Sequence, residues 1–367
     1  MTRKGWCPGA LRPMPAGDGL LLRVRPHGSR LDPGQVAGLA KISEAFGNGQ
    51  VDLGSRATLQ LRGVREDSLP EVQRRLQALE LLDADPRLEA RRNIMTTPFW
   101  REGGGMPELV RRLEEALRNA PDLPPKFGFA IDTGECPALQ GASADIRIER
   151  AGGDLLLRAD GMARGERVGP QTVMARILEL LDWFASCGQA RMAQAVAAGI
   201  VPPLHADAAP DPQASLGEIL HSAPFLFAPF GAVTSQALSE LSGSALRLTP
   251  WRAVLPEGHA RSELWLTDPG DPLLRVSACT GAPGCASSSV ETRALARELA
   301  AIVPAGRHLH VSGCAKGCAH PAPASVTLTG REGHFDLILN GPAGDEPALR
   351  ELTIPNLPDM MRGHLGS

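Results

Sequence analysis

The two halves of the sequence repeat one order of motifs, and this repetition constrains the fold more than any other feature. In each half a helical pattern leads to an alternating run with an Arg-x-Thr pair, and a second motif follows it. The matched positions are Arg56 and Thr58 with Arg247 and Thr249, and Arg92 with Ala278. Their nearly equal separations indicate an internal duplication.

Helical and strand patterns interleave along the chain. Apolar residues recur at helical spacing over 33–46, 69–82, 106–119, 170–186, 234–242 and 290–302. Alternating runs typical of strands cover 19–26, 57–64, 155–160, 324–330 and 334–341. This interleaving predicts an α/β or α+β fold. A stretch rich in Pro, Ala and Asp, residues 201–218, is predicted to link the two halves.

Length and charge narrow the class of protein. A chain of 367 residues is expected to form two or three compact units. Its net charge of -3 gives no basic field for nucleic acid, and it has no run of about 18 apolar residues for a membrane span. The opening segment has no apolar stretch typical of a secretory signal, so we expect a cytoplasmic protein without nucleic-acid or membrane partners.

Four of the seven cysteines lie in two loops of small residues. Cys279 and Cys285 lie in "ACTGAPGCASSS", and Cys314 and Cys318 lie in "SGCAKGCAHP". In a reducing compartment, clustered cysteines more often bind metal or do redox chemistry than form disulfides. The neighbouring glycines allow the backbone to approach a cluster closely. The spacing favours a [4Fe–4S] cluster over zinc, which usually takes tighter cysteine pairs.

Four unrelated buried thiols remain the third possibility. The other cysteines, Cys7, Cys136 and Cys187, are expected to be core or loop residues.

The cysteine spacing resembles the cluster motif of the sulfite and nitrite reductase superfamily. Three further segments, "SRATLQLRGV", "RRNIMTTP" and "LPPKFGFAID", are similar to its motifs, so the resemblance covers residues 15–335 approximately. It implies an α+β, pseudo-twofold fold in which two ferredoxin-like half-domains each precede a larger α/β domain. The implied boundaries are 10–75 and 85–200 for the first copy, 201–265 for the linker with the second half-domain, and 270–360 for the cysteine-bearing domain.

One position departs from the reductases. Those enzymes bind a small anion with two arginines and two lysines, and the matching positions here are Arg56, Arg92, Lys126 and Gly128. Losing one cation at a desolvated anion site argues against sulfite as substrate. Residues 5–26, 246–258 and 311–321 are instead similar to the superfamily branch that acts in aerobic cobalamin biosynthesis.

That resemblance implies a monooxygenase that hydroxylates carbon C20 of precorrin-3A, a metal-free tetrapyrrole, and closes a γ-lactone from the ring A acetate. Arginine suits the many carboxylates of such a substrate. The predicted substrate-binding residues are Arg56, Arg62, Arg92, Lys126, Arg247 and Arg252, and the predicted catalytic residues are Lys126, Arg56 and Arg92. We expect at least two of Arg56, Arg92 and Arg247 to face the cleft between the halves.

The implied cofactors are a [4Fe–4S] cluster on Cys279, Cys285, Cys314 and Cys318 and a mononuclear non-heme iron with unassigned ligands. His308, His310 and His320 are candidates for the iron, but a pair such as His308 and His310 on a strand is more often packing. The resemblance implies O2 as co-substrate. No Gly-x-Gly-x-x-Gly follows a strand, so NADH is expected to reduce a separate electron-donor protein.

Two other functions are compatible with these motifs. One is a siroheme-dependent nitrite or sulfite reductase, in which Cys318 would bridge the cluster and the heme iron. The other is a non-catalytic iron–sulfur protein that binds a tetrapyrrole.

Overall fold

The computed structural model describes residues 8–365. Cys7 therefore lies outside the described residues, as does the start of the segment 5–26. Within 8–365, no helix has the length and apolar character needed to cross a membrane.

The first half begins with a small unit of strands and two helices. These are β1 (Met14–Ala16), β2 (Gly19–Val24), β3 (Arg30–Leu31), α1 (Pro33–Phe46), β4 (Gln50–Gly54), β5 (Thr58–Val64) and α2 (Leu69–Ala78). A larger unit follows, made of α3 (Pro86–Arg91), β6 (Ile94–Thr96), α4 (Met106–Ala116), β7 (Phe129–Ile131), β8 (Ile146–Ala151), β9 (Asp154–Ala159), β10 (Glu166–Val168), α5 (Val173–Ser186) and α6 (Met192–Ala197).

The second half repeats this order. Its smaller unit contains α7 (Leu216–His221), β11 (Leu226–Phe227), β12 (Ala232–Thr234), α8 (Ser235–Ser239), β13 (Ala245–Leu248) and β14 (Ala253–Glu257). Its larger unit contains β15 (Val276–Ala278), α9 (Arg293–Ala300), β16 (Leu309–Ser312), β17 (Ala324–Arg331), β18 (His334–Gly341), β19 (Leu349–Leu352) and α10 (Leu357–Leu365).

The sheets show the pseudo-twofold relation directly. The two smaller sheets have the orders β1-β2-β5-β4-β12 and β11-β14-β13-β3, and the two larger sheets have the orders β10-β9-β8-β7-β6 and β15-β16-β17-β18-β19. The halves exchange one strand each, because β3 pairs with β13 and β12 pairs with β4. The α+β pseudo-twofold fold is confirmed, whereas the domain boundaries given above remain predictions.

The register of the strands corrects the alignment of the two copies. Leu53 pairs with Leu59 in the first copy and Leu248 pairs with Val254 in the second. Arg247 therefore corresponds to Asp52, not to Arg56. The strand-to-strand turn supports this alignment, because Ala57 and Arg252 occupy equivalent positions and both have positive φ, 52° and 58°.

Helix α1 shows how local sequence sets these elements. Asp32 and Gln35 form a capping box, and Pro33 occupies the first turn, where its missing N–H costs nothing. The helix buries Val36 and Leu39 against the first small sheet. Capping and burial together fix where the helix begins and which face it turns inward.

Strand alternation produces one polar face on the first small sheet. Leu22 of β2 and Leu59 of β5 are buried in the core. Arg23 lies beside Gln60, which lies beside Asp52 of β4, so these three side chains occupy one row across the sheet. The row faces away from the core and forms a wall of the cleft described below.

Candidate functional site

A cleft of about 720 Å³ lies where both halves of the chain meet. It is lined by the polar face of the first small sheet, by residues around Lys126, by the turn at Phe230 and by both cysteine loops. Its cationic lining residues are Arg23, Arg56, Arg62, Lys126, Arg252 and Arg293. Within the described chain, Asp52 is the acidic lining residue. The wall is therefore strongly positive.

The sheet brings the first cysteine of each pair together. Cys279 follows β15 and Cys314 lies just beyond the end of β16, and these two strands are parallel neighbours with Ala278 beside Val311. Since the carboxyl ends of parallel strands meet at one edge, the two cysteine loops leave the sheet side by side. The backbone N–H of Gly313 donates to Sγ of Cys279 at 3.1 Å.

One cysteine of each loop reaches the wall of the cleft. Burial raises the pKa of the Cys318 thiol, and the neighbouring thiols Cys314, Cys279 and Cys285 raise it further. Cys279 and Cys318 line the cleft itself.

The glycines of the two loops allow the loops to pack on each other. A Cβ at Gly313 would lie 2.2 Å from Oγ of Ser288, and a Cβ at Gly281 would lie 2.9 Å from the backbone N of Thr292. Gly281 and Gly317 also have positive φ, 68° and 59°, which suits glycine. Sequence reasoning assigned these glycines to a cluster; the structure shows that they also serve loop packing.

Arg92 does not line the cleft, which corrects its predicted placement. The side chain is 3% exposed and donates to both carboxylate oxygens of Asp83, to Oδ1 at 3.2 Å and to Oδ2 at 2.8 Å. It also donates to the backbone carbonyl of Arg25 at 2.7 Å. Through the bond to Arg25, Arg92 connects the segment just before β6 to the end of β2.

Arg247 is likewise placed outside the cleft. It donates to Glu257 at 2.8 Å and to the backbone carbonyls of Pro98 and Trp100 at 2.7 Å. Its guanidinium carbon lies 4.2 Å from the centre of the Trp100 ring. The expectation that two of Arg56, Arg92 and Arg247 face the cleft is therefore wrong, because only Arg56 of these three lines it.

Lys126 and Arg56 do line the cleft, as expected. The neighbouring position 128 is closed to a longer side chain, because a Cβ at Gly128 would lie 2.7 Å from Nδ2 of Asn93. Asn93 is itself held by a hydrogen bond to the carbonyl of Phe127 at 2.9 Å. The lysine that the reductases carry at this position has no space here.

Two cleft arginines were missed from the sequence. Strand alternation predicts that Arg23 lies on the polar face, since Leu22 and Val24 on either side of it are buried. Arg293 is the first residue of α9 and donates to Asp52 at 3.0 Å. In both arginines Nε is buried without a hydrogen-bond partner within the described residues. No sequence motif marks Arg293, whose role depends on how α9 packs.

The three histidines proposed as iron candidates cluster beside the second cysteine loop. The ring centres of His308 and His310 lie 4.5 and 5.7 Å from that of His320. Burial, followed by the charge of His320, lowers the pKa of His308 and of His310 to about 4. Across residues 8–365, however, no three His, Cys, Asp or Glu side chains come close enough to hold a single metal ion.

Known proteins resemble this chain in sequence and in fold. Residues 12–79 match the model of the nitrite/sulfite reductase ferredoxin-like half domain. The structure is similar to that of the NirA protein of Mycobacterium tuberculosis, with a TM-score of 0.66 and 19% identity, covering 93% of this chain and 79% of that one. The fold is thus that of the sulfite and nitrite reductase superfamily.

Curated relatives narrow the class. The chain is 30% identical over 400 residues to a precorrin-3B synthase of Sinorhizobium sp., covering 94% of this chain and 85% of the relative. It is 25% identical over 438 residues to a ferredoxin–nitrite reductase of Synechococcus elongatus, covering 93% of this chain and 85% of the relative. The chain belongs to the precorrin-3B synthase family.

Proposed function

We propose that this chain is an O2-dependent monooxygenase that hydroxylates precorrin-3A at C20 and forms the γ-lactone. The observation that carries the proposal is the arginine- and lysine-lined cleft beside Cys279 and Cys318 in a member of the precorrin-3B synthase family. A substrate with many acetate and propionate groups matches this charge. Oxidoreductase chemistry is common to the named relatives.

The chain's own cations would bind the substrate. Guanidinium groups form charge-assisted, often bidentate bonds with carboxylates. Arg23 and Arg293 each keep a buried Nε–H without a partner in the described part of the chain, so a substrate carboxylate at either would gain a strong acceptor contact. Arg56 and Lys126 lie at the same wall and complete the binding surface.

Lys126 and Arg56 are the proposed catalytic residues. A fixed cation near the reacting carbon stabilises negative charge that develops on oxygen during hydroxylation, most strongly where water is excluded. The ammonium of Lys126 can also donate a proton from Nζ. Arg92 is no longer a candidate, because Asp83 and the Arg25 carbonyl occupy its guanidinium.

The four cysteines fit an iron–sulfur cluster. A backbone N–H already points at Sγ of Cys279, the kind of donor that stabilises cluster sulfur. Cys279 and Cys314 leave neighbouring parallel strands side by side, and Cys279 and Cys318 both line the cleft. The Cys-x5-Cys and Cys-x3-Cys spacing of the two loops suits an iron–sulfur cluster better than zinc, which usually takes tighter cysteine pairs. When bound, the cluster would supply single electrons at the wall of the cleft.

A mononuclear non-heme iron does not fit the described residues in this arrangement. His308 hydrogen-bonds Ser277 at 3.0 Å, and within 8–365 no group of three His, Cys, Asp or Glu side chains is placed to hold a metal ion. We therefore derive no step through such an iron. The electrons are proposed to come from NADH through a separate donor protein.

Incubation of the anaerobically purified protein with precorrin-3A, a reductant and O2 tests the proposal. The expected product is heavier by one oxygen atom, and an anaerobic reaction leaves the substrate unchanged. Arg56→Met should lose activity, while Arg87→Met, which removes an exposed arginine that does not line the cleft, should retain it.

A siroheme-dependent reductase is the second candidate, favoured by the similarity to nitrite reductases. Its test is the absorption spectrum: sharp siroheme bands would support it, whereas a broad shoulder at ~400 nm, typical of sulfur-to-iron charge transfer in a cluster, supports the hydroxylase. A protein that binds precorrin-3A without oxygenating it would be a non-catalytic tetrapyrrole-binding protein.

A further inference from the structure

The backbone at the second cysteine of each pair is held by different contacts from the backbone at the first. Cys279 follows β15 directly, and its carbonyl accepts from the hydroxyl of Thr292 at 2.6 Å. Cys314 follows β16, and its carbonyl accepts from Ser312 at 2.7 Å. Cys285 and Cys318 lie further out in their loops, so the sheet does not fix them. Each loop has a turn hydrogen bond of its own, from Ser288 N–H to the Cys285 carbonyl at 3.0 Å and from His320 N–H to the Gly317 carbonyl at 3.2 Å, and contacts from other parts of the chain add to these.

Arg62 supplies such a contact to the first loop. It lies on β5 with 6% of its surface exposed. Its Nη2 donates to the backbone carbonyl of Gly284, the residue before Cys285, at 3.1 Å. The same guanidinium donates to both carboxylate oxygens of Asp18 at 3.1 Å. One planar group thus bridges the loop to a carboxylate in the β1–β2 turn.

The β1–β2 turn packs against the same loop. A Cβ at Gly17 would lie 2.8 Å from the backbone N of Ala286 and 3.0 Å from the carbonyl of Pro283. The first small sheet therefore touches the first cysteine loop on both sides of Cys285. Arg62 is the hydrogen-bonding part of that contact.

Arg252 supplies the equivalent contact to the second loop. Its Nη2 donates to the backbone carbonyl of Ala319, the residue after Cys318, at 2.6 Å, and its Nη1 lies 3.4 Å from Oγ of Ser277. The residue has a φ of 58°, uncommon for a side chain other than glycine. Its stem lies over Gly231, where a Cβ would come within 3.0 Å of its Cδ.

We infer that Arg62 and Arg252 are positioning residues, one for each cysteine loop, that fix Cys285 and Cys318 as ligands of the cluster. The sequence interpretation assigned both to substrate carboxylates, but the hydrogen bonds that they make are directed at the loops. Arginine is required because one guanidinium must reach two acceptors at once, which the compact ammonium of lysine cannot do in the same geometry.

This inference rests on the proposed cluster, and its test does not use hydroxylation. The proteins compared are the purified wild type, Arg62→Lys, Arg252→Lys and Arg56→Met. Arg56→Met removes a cation from the same cleft, where the described hydrogen bond of Arg56 goes to Oγ of Ser143 and not to a cysteine loop. The first readout is the rate at which the cluster absorbance decays in the presence of an iron chelator.

Loss of a charge-assisted hydrogen bond should speed decay about tenfold in each lysine variant and leave Arg56→Met at the wild-type rate. Unchanged decay in both lysine variants would overturn the inference while leaving the proposed function intact. A wild-type protein without cluster absorbance would overturn both.

Hydrogen exchange gives a second readout that separates loop positioning from general loss of stability. Arg62→Lys should speed exchange in peptides covering 279–289 and in the β1–β2 turn around Asp18, but not in 313–321. Arg252→Lys should speed exchange in peptides covering 313–321 but not in 279–289. Faster exchange throughout the chain in either variant, or in the wrong loop, would contradict a local positioning role.

Discussion

The backbone N–H of Gly313 donates to Sγ of Cys279 across the ends of two parallel strands, at 3.1 Å. The same glycine lies against Ser288, so the two cysteine loops touch at this point. Gly313→Ala would place a methyl group 2.2 Å from Oγ and 2.7 Å from Cβ of Ser288. We expect a loss of about 1–3 kcal/mol in the free energy of unfolding, with lower iron content, measured by denaturant titration and iron assay.

Gly141→Ala is the matched control for this prediction. No atom lies within 4 Å of a Cβ at Gly141, so the same substitution should change neither quantity. An equal loss in both variants would show that the contact with Ser288 is unimportant.

Serine in place of Cys314 tests the ligand assignment. A hydroxyl is a poor ligand for a soft iron–sulfur cluster, so Cys314→Ser should abolish the cluster absorbance. Cys136→Ser is its control, because Cys136 is an exposed thiol in the loop after β7. Retention of the full absorbance in Cys314→Ser would remove Cys314 from the ligand set.

The helices and strands were largely predictable because burial follows sequence periodicity. The predicted helix 33–46 coincides with α1 (Pro33–Phe46), where a capping box and a proline mark the start. The predicted helices 234–242 and 290–302 extend beyond α8 and α9 at both ends. Periodicity continues into turns there, and apolar spacing alone does not show where the backbone leaves the helix.

The candidate site was predictable only in part. The cysteine loops stand out because their residue types and spacing are unusual. The arginines do not stand out, since Arg92 and Arg247 occur in motifs in the same way as Arg56. Tertiary packing alone pairs Arg92 with Asp83 and Arg247 with Glu257. Arg293 joins the cleft through the contact of α9 with Asp52 of β4, a residue 241 positions away in the sequence.

Arg92 is expected to be a stability residue. Arg92→Met leaves Asp83 buried and unpaired, which should cost about 3–5 kcal/mol in the free energy of unfolding. The double variant with Arg92→Met and Asp83→Leu has no unpaired charge and should regain most of the lost stability. Urea titration of the single and double variants measures both. A single variant that keeps its stability but loses substrate affinity would return Arg92 to the binding site.

Arg23 is expected to be a substrate-binding residue. Arg23→Met keeps the stem on the sheet and removes the guanidinium from the cleft wall, so the KM for precorrin-3A should rise about 10–100-fold. The folded structure should be unaffected, as checked by circular dichroism. Arg87→Met serves as control because Arg87 is exposed at the start of α3. An unchanged KM in Arg23→Met would exclude a carboxylate contact there.

Stability should fall on acidification because of His308 and His310. Burial lowers the pKa of each from 6.5 to about 4, so between these pH values the unfolded chain binds more protons than the folded one. Stability contributed by the neutral rings is fully present above pH 6.5 and is lost as the pH falls towards 4. Each histidine can lower the free energy of unfolding by at most about 1.4 kcal/mol for each pH unit of acidification.

His310→Leu removes one of these titrating groups and isolates its contribution. The ring of His310 is fully buried, and within the described residues its nitrogens have no hydrogen-bond partner, so leucine can occupy the space. The free energy of unfolding of this variant, measured from pH 7 to 5 by denaturant titration, should fall less steeply than that of the wild type. Asp132 has the opposite effect, since burial raises its pKa, but it is common to both proteins and cancels in the comparison. His259→Leu is the control, because His259 is exposed, and its free energy of unfolding should depend on pH as steeply as that of the wild type. An equally steep dependence in His310→Leu would show that His310 does not cause the loss of stability in acid.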